Sequence, residues 1–266
     1  MTRSLEFRNR THRRYWWHWI ADNTNYVPPV YQFLSDEEWE ILDAWFDDTE
    51  KRDLIGECQV PLISIIQGLL MGSCLKAVVQ AGHYTGYSTL LMGFMLRRMG
   101  FKHGLFTIDI DPMVSDYTRE WVARAGLSEH VEVVCSDSAA LDMPEKAREY
   151  LGTDPQLVLI DSSHIYSHTL RELDLWYPRL VPGGILLCHD STVFAEQFDR
   201  TKEGGVRRAL AEWLARNPGV NALNLRNGAT PNLHNEVYKD PCGVCMIQGA
   251  PNAKNAAAEL LTRATA

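Results

Sequence analysis

From Leu75 onward the chain alternates short, β-branched apolar runs with amphipathic helical stretches, and nothing else in it restricts the fold as strongly. The runs fall at about 75–81, 104–110, 131–135, 156–161, 184–189, 220–226 and 243–248. Runs this short and this apolar, separated by helices, are what a mostly parallel sheet covered on both faces requires. Helical stretches fill the first five gaps. Asn227-Gly228, Pro231 and Pro241 mark a loop between the last two runs, so these are expected to pair antiparallel. The predicted architecture is α/β: a seven-stranded, mostly parallel sheet with helices on both faces and an antiparallel last strand.

The first 57 residues add helices only. Ser35 with Glu38 forms a capping box, and Trp39, Ile41, Leu42, Trp45 and Phe46 follow on one helical face. A second helix is predicted from near Pro61 through Ile63, Ile65, Ile66 and Leu69 to Gly72. The chain thus divides into an N-terminal helical cap or lid (1–57), a ligand-binding domain (58–250) and an Ala-rich tail (251–266).

The formal net charge of −8 opposes sequence-independent binding to phosphate backbones, so a small-molecule partner is expected and nucleic acid is not. Arg3, Arg8, Arg10, Arg13 and Arg14, with Tyr15, Trp16, Trp17 and Trp19, are the one basic, aromatic stretch. No apolar run has the length to span a bilayer and no signal peptide is found, which predicts a cytoplasmic protein without membrane contact. Of six scattered cysteines, Cys242-Gly-Val-Cys245 has redox or zinc spacing. It enters a strand rather than opening a helix and lacks further ligands, so inert thiols are expected.

Ligand chemistry concentrates in Ala77-Val-Val-Gln-Ala-Gly-His-Tyr-Thr-Gly-Tyr-Ser-Thr89, a strand running through a glycine turn into a helix. Gly82 and Gly86 let the backbone turn tightly against a ligand, and the N–H groups opening the helix favour a carboxylate. A dinucleotide fingerprint needs Gly-x-Gly-x-x-Gly; here His83 and Tyr84 stand where small residues admit a pyrophosphate, which argues against a nicotinamide oxidoreductase. Asp109, ending the second strand, is placed to accept hydrogen bonds from the ribose hydroxyls of an adenosine. Asp111, before Pro112, reads as a helix N-cap.

Together with Ile108-Asp-Ile-Asp-Pro112, Ser136-Asp-Ser138 and Ile160-Asp-Ser-Ser-His164, this turn resembles the class I S-adenosylmethionine-dependent methyltransferases. The likeness is to their small-molecule O-methyltransferase branch, which includes catechol, macrolide-sugar and cephamycin-pathway enzymes, and it covers about Leu75 to Gly249. It implies a Rossmann-like fold and S-adenosylmethionine as cofactor. By this resemblance Gly82 and Ser88, with Tyr84 and Gly86 of the same turn, line the methionine end, Asp109 holds the ribose, and Asp137 or Ser138 meets the adenine. Gln80 stands where many relatives carry an acid, so any cofactor contact there is neutral; Asp161 closes the cofactor site on the acceptor side.

Asp161 ends strand four and His189-Asp190 ends strand five, which sets three ligand-bearing side chains at the carboxyl edge of adjacent parallel strands. They are expected to share one divalent ion. The resembled enzymes place magnesium there, whereas His189 suits a softer ion such as manganese, and an enzyme without metal remains an alternative. His164, three residues beyond Asp161, is the expected general base, with Asp161 beside it; His168 reads as a surface residue. The expected reaction is O-methylation of a small molecule. The alternatives are N-methylation without metal, or a non-catalytic binding module that keeps the fold. A homodimer or higher homo-oligomer is expected, with Tyr15–Trp19 and Tyr26–Phe33 as a lid or subunit contact.

Overall fold

The computed structural model describes Arg14, residues 27–226 and residues 237–249. Eight α-helices are described: α1 Pro29–Gln32, α2 Asp36–Lys51, α3 Val60–Gly72, α4 Tyr87–Arg98, α5 Pro112–Arg124, α6 Met143–Leu151, α7 Tyr166–Trp176 and α8 Gly205–Arg216. Seven strands alternate with the last five: β1 Val78–Ala81, β2 Leu105–Asp109, β3 Val131–Cys135, β4 Leu157–Ile160, β5 Ile185–His189, β6 Ala222–Leu225 and β7 Val244–Gln248. All seven predicted runs form strands; β3 keeps its predicted bounds, and the other six are trimmed to the residues that make ladder hydrogen bonds.

The strands form one sheet in the order β3-β2-β1-β4-β5-β7-β6. The first five are mutually parallel, and β7 runs antiparallel to both β5 and β6. The expected antiparallel pair is present, but β7 inserts between β5 and β6 instead of extending the edge. Central β1 and β4 are buried on both faces, whereas β6 at the edge is half exposed.

Side chains alternate strictly between two cores. Val78, Leu105, Leu157, Leu159 and Leu187 face one core, shared with α2, α3, α4 and α5. Val79, Phe106, Val158, Ile160 and Leu186 face the other, under α6, α7 and α8. The N-terminal helices are therefore built into the same core as the sheet. The predicted capping box is present: Glu38 N donates to Ser35 Oγ at 3.2 Å and Ser35 N to Glu38 Oε2 at 2.8 Å. The same buried carboxylate accepts from Arg97 and Arg98 in the last turn of α4, at 2.7 and 2.9 Å.

These helices also support the glycine turn. Trp45 of α2, fully buried, donates its indole N–H to the Thr85 carbonyl at 2.7 Å. Tyr31 of α1 is buried and shares a hydrogen bond with the Tyr87 hydroxyl at the start of α4. Tyr15–Trp19, Tyr26, Asn227-Gly228, Pro231 and the 251–266 tail lie outside the described residues. Among the described residues, no helix is long and apolar enough to cross a membrane.

Candidate active site

The turn between β1 and α4 is held from every side. Gly82 has φ +87°, and a Cβ there would lie 2.0 Å from the Asp161 carbonyl oxygen, so only glycine lets the ends of β1 and β4 approach this closely. Gly86, at φ +92°, is the N-cap of α4, and no side chain caps that helix. The uncapped terminus opens toward the cleft beside Tyr87 and Ser88. His83 tucks under the turn, Nδ1 toward the Tyr84 carbonyl at 2.8 Å and Nε2 toward Ser115 Oγ at 3.3 Å. Tyr84 is itself left-handed, at φ +44°.

Asp109 ends β2 against this turn. Its Oδ2 accepts the Tyr84 N–H at 3.0 Å and its Oδ1 the Asp111 N–H at 3.1 Å. Each carboxylate oxygen keeps acceptor capacity toward the cleft. Asp111 is the N-cap of α5, accepting from Met113 N at 2.8 Å, as the sequence indicates. Gln80 is buried, with its amide fully engaged: Nε2 donates to Gly82 O and Ser88 Oγ, and Oε1 accepts from Thr89 and Thr107.

Beyond β3, the Asp137 carboxylate accepts from Ala139 N and pairs with His168 Nε2, both at 2.8 Å. Ser138 Oγ donates to Glu172 of α7, whose other oxygen accepts from Ser162 Oγ at 2.8 Å. Glu172 is fully buried and ties the loop after β3 to the loop after β4. His168, read from sequence as a surface residue, lies instead between Asp137 and Glu172. Burial opposes its charge, but the two carboxylates outweigh that and raise its pKa.

Asp161, His164, His189 and Asp190 converge at the carboxyl edge of β4 and β5. His164 Nε2 lies 3.0 Å from Asp190 Oδ2 and 3.8 Å from Asp161 Oδ1. His189 Nδ1 lies 3.0 Å from Asp161 Oδ1 and 3.2 Å from Asp190 Oδ2. Its Nε2 faces a third carboxylate, Asp240 Oδ2, at 3.0 Å. With a carboxylate at each nitrogen, the His189 ring is held as a buried cation: desolvation works against its charge, and Asp190, Asp161 and Asp240 overcome it. Burial likewise opposes ionisation of Asp161 and Asp190, yet the imidazoles hold both below the usual carboxylate range. Burial lowers and the carboxylates raise the His164 pKa, to about 10 in sum. His164 and Asp190 both have positive φ, 58° and 59°, the local strain that functional clusters commonly carry.

The sequence indicates Asp161, His189 and Asp190 as a metal set. The structure brings all three together, but both ring nitrogens of His189 are committed to carboxylates. The ligand atoms of Asp161, His164 and Asp190 do lie within 4.8 Å of one another, two hard oxygens and one imidazole that fit a divalent ion. Cys242 Sγ forms a second such group with His189 and Asp190, but its thiol is pushed up by burial, and all six cysteines are free. Sequence reasoning missed Asp240, Glu172 and the buried pair Arg14–Glu57. Only a basic position at Arg14 gave any local signal, because the partners are 51, 34 and 43 residues apart.

A cleft of about 400 Å³ joins these parts, a volume within the range of small-molecule sites. Gly82, Tyr84, Ser88, Asp109, Asp161 and His164 line it; Gln80, Gly86, Asp137, Ser138, His189 and Asp190 do not. The uncapped helix terminus suits a carboxylate, the Asp109 oxygens suit ribose hydroxyls, and the bare Gly82 backbone admits a close ligand, so the residues fit an adenosyl amino-acid cofactor.

Residues 79–191 match the family model described as a methyltransferase domain. No curated protein sequence matches the chain. Among solved structures, an O-methyltransferase from Bacillus cereus in complex with SAH is similar at TM-score 0.58 and 20% identity, over 82% of this chain and 92% of that one. An O-methyltransferase of tomaymycin synthesis from Streptomyces achromogenes, in complex with SAM, is similar at TM-score 0.57 and 18% identity, covering 79% and 90%. An SAH-bound methyltransferase from Podospora anserina is similar at TM-score 0.58 and 16% identity, covering 81% and 88%. Residues 79–191 are thus a methyltransferase domain by the family model, set in a fold that the chain shares with these solved methyltransferases.

Proposed function

We propose that the protein transfers the methyl group of S-adenosylmethionine to a hydroxyl of a small molecule, with His164 as general base. The observation that carries this reading is the place of His164: it lines the cofactor cleft with its Nε2 held between Asp161 and Asp190. The acceptor oxygen attacks the sulfonium methyl in line, the C–S bond breaks as the C–O bond forms, and the sulfur keeps the electron pair. The hydroxyl proton passes to the His164 imidazole, and Asp190 and Asp161 at its Nε2–H stabilise the imidazolium that forms. A base raised to about 10 matches the proton affinity of a phenol, whose pKa is also about 10.

Within this reading, Gly82, Tyr84, Gly86 and Ser88 surround the methionine end, and Asp109 holds the ribose. The loop after β3, whose Ser136 N donates to the Asp109 carbonyl at 2.8 Å, would bring Asp137 or Ser138 to the adenine beyond the cleft itself. Gln80 works from beneath by fixing Ser88, consistent with its internal hydrogen bonds.

Where a divalent cation is bound, Asp161, His164 and Asp190 would hold it, and the cation would take over from the His164 base by lowering the proton affinity of the acceptor oxygen. Charge supports this set. Three carboxylates (Asp161, Asp190, Asp240) against two imidazolium rings (His164, His189) leave a net −1. Replacing the His164 proton with a dication brings the sum to zero. His189 then serves as the fixed counter-charge that orients Asp161 and Asp190. The test is a methyl-transfer screen with labelled cofactor against phenols, sugars and amines, with and without chelator. Methylation confined to amines overturns the proposal.

A further inference from the structure

The acceptor side of the cleft carries a cation that the methyl-transfer chemistry does not use. Arg200 lines the same cleft as Asp161 and His164, is exposed, and has no ion-pair partner among the described residues. The carboxylates around it are already engaged. Glu57 pairs with Arg14, Asp161 with His189, Asp109 accepts two backbone N–H groups, and Asp111 caps α5. Among the described residues, then, no carboxylate of the cleft is paired with Arg200.

Its loop is fixed, so the guanidinium is presented from a defined base. The buried Asp199 carboxylate accepts from Thr201 N and Oγ1 through one oxygen, at 2.9 and 2.7 Å, and from Glu203 N and Gly205 N through the other, both at 2.9 Å. Gly205 packs on the backbone of His164; a Cβ there would lie 3.1 Å from the His164 carbonyl oxygen. The loop bearing Arg200 and the turn bearing the base are thus one packed unit.

Two aromatic rings stand beside it. Phe198 lies 5.7 Å from the His164 ring, centroid to centroid, and Phe194 packs edge-on to Phe198 at 6.2 Å. Both are about 40% exposed and adjoin the cleft through His164 rather than line it, which leaves ring surface open beside the base. A flat ring against Phe198 places a substituent hydroxyl toward His164, while a guanidinium recognises a carboxylate with two parallel hydrogen bonds.

We infer that the methyl acceptor is an aromatic hydroxy acid, its ring seated on Phe198 and Phe194, its carboxylate paired with Arg200 and its hydroxyl directed at His164. The inference rests on the O-methyl reading and adds the acceptor class to it.

The test compares protocatechuate, its methyl ester and catechol as acceptors for the full chain and for Arg200→Gln, Arg200→Lys and Phe198→Leu. The wild type should prefer the acid over the ester in kcat/KM by about tenfold to hundredfold, the worth of a charge-assisted hydrogen-bonded pair. Arg200→Gln should remove that preference through KM for the acid, Arg200→Lys should restore part of it, and Phe198→Leu should raise KM for all three. Equal handling of acid and ester by the wild type, or an unchanged ratio in Arg200→Gln, overturns the inference while leaving O-methylation intact. Failure of all three phenols alongside methylation of an amine overturns the O-methyl reading and this one with it.

Discussion

Free of any bound cation, the protein should show a steep pH dependence that belongs to His164. Its imidazole pKa is raised to about 10 by Asp190 and Asp161. The sign follows directly: a raised histidine pKa keeps the ring protonated, and unable to accept a proton, at every pH below it. At about pH 7.5 only about one ring in 300 is neutral, since each pH unit changes the ratio tenfold. In chelated enzyme, kcat/KM for a phenol acceptor should therefore rise about tenfold per unit from about pH 7 to 9 and level off above about 10. A divalent cation seated by Asp161 and Asp190 opposes the proton and should move the whole limb to lower pH. The assay is initial-rate methyl transfer over that range, with and without chelator, for wild type and His164→Gln. A nitrophenol whose hydroxyl is already ionised near neutrality gives the control, because it has no proton to surrender and its limb should shrink. A flat profile in the chelated wild type, or an undiminished rate in His164→Gln, would refute the base assignment; a slope alone in the variant reflects ionisation of the phenol itself.

Asp109→Ala should weaken calorimetric affinity for S-adenosylhomocysteine by about 1.5–3 kcal/mol, the loss of a charge-assisted acceptor, and unchanged affinity in the folded variant removes the ribose role. Gly82→Ala puts a Cβ 2.0 Å from the Asp161 carbonyl oxygen at φ +87°. It should cost on the order of 3 kcal/mol in urea unfolding and abolish cofactor binding; a variant with wild-type stability means that β1 and β4 do not approach so closely. Asp240→Ala strips the buried His189 of one carboxylate and should destabilise by about 3–5 kcal/mol. Asp240→Asn, whose single amide oxygen can still accept from the ring or from Cys242 N but not from both, should lose less, and wild-type melts for both variants would show that the pair carries no stability.

The parts of this protein legible in its sequence are those governed by neighbours along the chain. The alternation of apolar runs and helices has a local period, so all seven strands and the α/β class could be read. The Ser35–Glu38 box spans one helical turn, and Asp111-Pro112 caps α5 as its residue types dictate. The glycine turn with Asp109 was readable because strand, turn and acid are set by the strand ends of a parallel sheet.

Tertiary structure decided what depends on distant partners. Nothing local tells β7 to enter between β5 and β6, because its ladder with β5 joins segments more than 50 residues apart in the chain. His189 looks like a metal ligand until Asp240, 51 residues away, occupies its second nitrogen and makes it a buried cation. His168 looks like a surface side chain until Asp137 and the buried Glu172 close on both sides of it. In each case residue type announces the chemistry a side chain is capable of. Which protonation state and which role it takes is set by the charges and the burial that folding brings to it.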